Sequence, residues 1–103
     1  MALRFIRDRV VFDPTQGQIQ NEPRTVSFPS QVRTAHIALN GFDVRYTDGD
    51  HHILRQIVDI SDPRINGNAV SYDVTLLLRD SSGNIDDRYQ GTVDTLIIAD
   101  TVN

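Results

Sequence analysis

From Val70 to Arg79 the chain alternates in polarity at nearly every step. Val70, Tyr72, Val74, Leu76 and Leu78 are apolar, and Ser71, Asp73, Thr75, Leu77 and Arg79 stand between them, with Leu77 the exception on the polar side. Successive side chains of a strand point to opposite faces, so a period of two predicts a strand with one buried and one wetter face. A helix would spread the same residues around its whole circumference. The turn formers Asp80-Ser81-Ser82-Gly83-Asn84 follow, and extended character resumes from Gly91 to Ala99. A hairpin spanning Asn68 to Asp100 is therefore the expected centre of the fold.

The rest of the composition agrees with strands. All ten basic residues are arginine, and Glu22 is the one acid that is not aspartate. Lysine and glutamate, the usual residues of exposed helix faces, are nearly missing, while β-branched residues and turn formers abound. A chain of 103 residues makes one domain, and without cysteine it has neither disulfides nor a thiolate zinc site. The net charge of −4, with no basic cluster, argues against nucleic acid as the main partner. No 18-residue apolar run suggests membrane insertion, and the first residues lack a signal peptide's apolar region. The expectation is a soluble protein, cytoplasmic unless exported by an unconventional route.

Along the chain, residues 1–23 read as an N-terminal extended segment, with a short strand at Arg9 to Phe12, and then a loop from Asp13 to Pro23. Arg24 to Phe28 is a short strand ended by Pro29. Ala35, Ile37 and Leu39 alternate, and after Asn40-Gly41 the phase shifts to Phe42, Val44 and Tyr46. This predicts one long strand with a bulge at Asn40-Gly41. His51 to Ser61 is the next strand, with Leu54, Val58 and Ile60 on one side, and Ser61 to Asn68 is a turn-rich connection. Together these predict a single all-β domain over residues 1–103, a six-stranded antiparallel β-sandwich.

Ile53, Ile57, Leu77, Leu96 and Ile98 fall on the second faces of their predicted strands. They are the expected subunit contact, and aspartate at Leu77 or Ile98 is expected to weaken assembly more than folding. Two polar clusters are candidate sites. Asp48, Asp50, His51 and His52 surround Gly49 and could hydrogen-bond sugar hydroxyls, although a turn before a strand explains them equally well. Asp80, Asp86 and Asp87 bracket a loop rich in oxygen donors that could hold calcium, yet its spacing is not that of an EF-hand, and an ordinary loop would look the same. No nucleophile or paired-carboxylate constellation is present, so the chain reads as non-enzymatic.

The order Val26-Ser27-Phe28, Ala35 to Val44 (with Leu39-Asn40-Gly41-Phe42-Asp43-Val44), and the later strands to Ile97-Ile98-Ala99 resembles the H-type lectin domain of snail agglutinins and discoidins. The resemblance covers residues 24–100. It implies a six-stranded antiparallel sandwich, a homotrimer or paired hexamer, and galactose- or N-acetylgalactosamine-type glycans bound between subunits. The family's sugar-binding arginine falls here at His52, and its groove aromatic falls at Arg79-Asp80 in a chain without tryptophan. The resemblance thus implies a site at His52, Arg79 and Asp80. The alternative from another class is a structural or assembly domain, such as a trimeric appendage or virion component, that binds no sugar.

Overall fold

The computed structural model describes residues 2–15, 18–47, 52–80 and 88–102, with Leu54 described by its backbone alone. Among them the chain forms seven strands and no helix: β1 (Ala2–Thr15), β2 (Gln20–Ser27), β3 (Val32–Tyr46), β4 (Ile53–Ile60), β5 (Arg64–Asn66), β6 (Ala69–Asp80) and β7 (Tyr89–Thr101). All pairings are antiparallel. One sheet has the order β1-β7-β3, and the other has β2-β6-β4 with β5 also on β6. The strands run along a molecule 51 Å long and 18 Å across in both other directions.

The expected hairpin is corrected by this topology. β6 and β7 do not pair; each is the central strand of a different sheet. Their inward faces form the core, with Val70, Tyr72, Val74, Leu76 and Leu78 of β6 set against Tyr89, Val93, Ile97 and Ala99 of β7. A strand at the centre of a sheet has neighbours on both edges, so its inward residues are wholly covered. That is why these two stretches carry the clearest pattern in the sequence. Composition between two strands marks a turn but does not say whether the chain returns beside itself or crosses to the facing sheet.

The strand count is seven rather than six because Arg64–Asn66, inside the expected connection, forms β5. It pairs with Ala69 to Ser71 across the two-residue turn Gly67-Asn68. Gly67 has φ of +62°, a conformation open to glycine at the first central position of a two-residue hairpin turn. The β2–β3 connection docks onto this turn: Phe28 N–H donates to the Asn68 carbonyl at 2.9 Å, Val32 N–H to the Gly67 carbonyl at 2.9 Å, and Asn68 Nδ2 to the Phe28 carbonyl at 2.9 Å. Gly67→Ala should cost about 1–2 kcal/mol, the strain of a left-handed non-glycine residue. Urea unfolding of the two proteins checks this.

β1 is also longer than expected and pairs with β7 without interruption from Ala2 to Phe12. β2 begins at Gln20, inside the expected loop. The bulge in β3 stands as expected: the pairing with β7 shifts between Leu39 and Gly41, so Ala35, Ile37, Phe42 and Val44 all lie on the inward face. A second bulge between Ile53 and Arg55 places Ile53 opposite Asp80.

Candidate functional site

The strand ends that flank the two polar clusters lie at the same end of the fold. Thr47 N–H donates to the Arg88 carbonyl at 3.0 Å, which joins the exit of β3 to the entry of β7. Ile53, the first residue of β4, pairs with Asp80, the last of β6. The chain ends that flank 48–51 and 81–87 therefore converge. Asp48, Asp50, His51, Asp86 and Asp87 themselves lie outside the described residues. His52 is exposed at this end, Arg79 is half-buried, and Asp80 is buried on the inward side of β6. Among the described residues no group of three or more histidines or acids could hold a metal ion.

Beside this end, on the outer face of the three-stranded sheet, lies an open depression of about 220 Å³. Its floor is Gln90, Gly91 and Thr92 of β7, and its walls are Val11 to Pro14 of β1 and Asp43 and Arg45 of β3. Two local features shape it. The β1–β7 pairing is irregular between Phe12 and Thr15, where Asp13-Pro14 departs from the ladder. On the other side β3 crosses so close to Gly91 that a methyl group there would run into the Asp43 carbonyl oxygen. The Asp43 carboxylate accepts from Arg45 Nη2. The pair is well exposed and sets an acceptor and a donor side by side, next to the apolar surface of Val11 and Pro14. The outward-facing side chains of Asp43 and Arg45 read in the sequence as ordinary strand surface.

A second constellation was also not visible in the sequence. Asp8, on the inward side of β1, accepts from Arg24 of β2 through both carboxylate oxygens at 2.9 and 2.8 Å, and from the Tyr72 hydroxyl at 2.7 Å. Tyr72 lies 2.7 Å from Thr95 Oγ1. The four residues come from β1, β2, β6 and β7, so the network ties one sheet to the other. The Arg24 guanidinium holds the Asp8 carboxyl below the usual carboxylate range, against burial, with the Tyr72 hydrogen bond adding to the effect. Burial pushes the Tyr72 hydroxyl up to about 12. A tyrosine raised in the folded state favours folding fully below its unfolded value and less as pH rises, so stability should decline between about pH 10 and pH 12. Both carboxylate oxygens of Asp8 and the hydroxyls of Tyr72 and Thr95 are engaged within this network, which acts as a structural clasp between the sheets.

The residues expected at a subunit contact do not form one face. Ile57 pairs with Leu77 on the outer side of the β2-β6-β4 sheet, whereas Leu96 and Ile98 lie on the outer side of the β1-β7-β3 sheet. The bulge sets Ile53 opposite Asp80 and out of step with Ile57, and Ile53 is 56% exposed. Leu77 has no exposed area within the single chain.

No family model, curated relative or solved structure matches this chain.

Proposed function

We propose that the chain is a non-catalytic carbohydrate-binding module, a sandwich of H-type lectin character that takes galactose-type glycans at the end where its polar loops leave the fold. The observation that carries this reading is the convergence of the chain ends flanking both polar clusters beside the depression walled by Asp43, Arg45 and Pro14. Sugar hydroxyls need donors and acceptors close together, and the paired Asp43 and Arg45 offer both. The sugar's C–H face needs an apolar rest, which Val11 and Pro14 provide in place of the family's aromatic ring. At about 220 Å³ the depression is smaller than a drug-sized pocket of ~300–1,000 Å³ and suits one ring of a glycan. One shallow site binds weakly, so useful affinity comes from several copies acting together.

A glycan array probed with the purified protein, with calcium and again with a chelator, tests the reading. Binding to terminal galactose-type sugars is expected, and Arg45→Ala should weaken it about tenfold, the loss of roughly one charge-assisted contact. Loss of binding in chelator would assign a calcium role to the stretch containing Asp80, Asp86 and Asp87. Silence across the array would sink the proposal.

A second reading, a structural or assembly domain without sugar binding, is favoured by a separate observation. Leu3 and Phe5 are 63% and 58% exposed on the outer face of β1.

A further inference from the structure

On the outer face of the β1-β7-β3 sheet an apolar patch of Leu3, Phe5, Leu96 and Ile98 lies between Arg7 on one side and Asp100 on the other, with the exposed His36 of β3 beside Ile98. Phe5 lies opposite Ile98 at the centre. One row away towards the loop end, Arg7 lies opposite Leu96; one row the other way, Leu3 lies opposite Asp100. Leu96 and Ile98 are half-buried, and Leu3 and Phe5 stand mostly in solvent. Among the described residues neither Arg7 nor Asp100 has an ionic partner. Asp100 Oδ1 is shielded from water and has no hydrogen bond, a costly state for a carboxylate oxygen.

We propose that this face is the contact surface for a second copy of the chain, packed sheet on sheet about a two-fold axis that crosses the strands at the Phe5–Ile98 row. The inference deepens the assembly reading and stands whether or not the loop end binds sugar. Such an axis lays each centre row on its own copy and swaps the rows to either side. The row of Arg7 in one chain then covers the row of Asp100 in the other, and the reverse, so both unpartnered charges gain an opposite charge in one step. A two-fold contact must be self-complementary in this way. Facing sheets lie about 10 Å apart and neighbouring strands about 4.8 Å, a diagonal that an arginine and an aspartate can bridge. Centred on Ile98, the rows that meet run from Leu96 to Asp100, about 14 Å across three strands and about 13 Å along, clear of Thr92 and the depression and far below the ~800 Å² per partner of a standard interface. The pair should therefore be of modest affinity and strengthen any assembly it belongs to.

Sedimentation equilibrium of the full chain from about 1 µM to about 1 mM, the range of modest affinities, tests this. The wild-type chain should associate into even-numbered species. Phe5→Asp and Ile98→Asp should abolish that association while keeping the wild-type circular dichroism. Arg7→Asp and Asp100→Arg should each raise Kd about tenfold or more, and the double variant should return to within about threefold of wild type. A chain that stays monomeric throughout, a purely trimeric chain, or charge variants whose effects simply add would each overturn the proposal. Sugar binding per chain by Phe5→Asp should be unchanged, which separates failure of this contact from failure of the loop-end site.

Discussion

Leu77→Asp should leave the chain largely unfolded rather than merely dissociated. Its position opposite Ile57 on the outer side of the sheet suggests a residue that a partner could cover, but the single chain already encloses it completely. Losing a buried leucine forfeits about 1.5–3 kcal/mol of apolar burial. Burying a carboxylate without a partner costs several kcal/mol more, or forces it to take up a proton. A domain of this size has about 5–15 kcal/mol in total, so the sum consumes most or all of it. Circular dichroism and urea titration of the isolated chain check this directly. A well-folded variant that had lost only association would mean that Leu77 is covered by a partner instead.

Asp8→Asn should have the second largest effect, about 2–4 kcal/mol at neutral pH. It removes the negative charge and turns one of the two accepting oxygens into a donor, which leaves a part-buried guanidinium without its counter-charge and with one carboxylate hydrogen bond fewer. The Asp8 carboxyl is held below its unfolded value, so its contribution is present above about pH 4 and is lost as pH falls through the lower, folded value. The gap between wild type and Asp8→Asn in urea titrations should therefore be full at pH 7 and shrink towards pH 2. A gap that held constant down to pH 2 would show that the ion pair does not carry the effect.

These two residues also show which parts of the fold were legible in the sequence. β6 and β7 were visible because central strands bury every inward side chain, and burial writes a clean period of two. The bulge in β3 was visible because Leu39 and Phe42 break that period by one step. β1 was hidden for the opposite reason: its inward positions include Arg4 and Asp8, which look like surface residues until Thr101 is brought to Arg4, and Arg24 and Tyr72 to Asp8, from distant parts of the chain. The three residues of β5 are too few to show a period, and their neighbours are all turn formers. Sheet membership, and with it the pairing of β6 and β7, depends on where the chain goes after Asp80, and composition is silent on that.

The candidate site was legible only in its flanks. The polar runs after Tyr46 and Asp80 marked the loop end. The depression beside it arises from the backbone, from Asp13-Pro14 leaving the ladder and from the close approach over Gly91. A lone proline and a lone glycine are its only traces in the sequence. The expected contact residues were chosen by strand face alone, and a face is not a place: the two outer faces of a sandwich lie on opposite sides of the molecule.

Ala2 and Thr101 are paired neighbours at the end of the sandwich away from the polar loops. A carrier or surface coupled to the chain beside Ala2 or Thr101 would hold the molecule like a post, with the depression on its flank about a strand's length away, roughly 40 Å. Many copies grafted side by side in this way would present identical sites, all at one height above the surface.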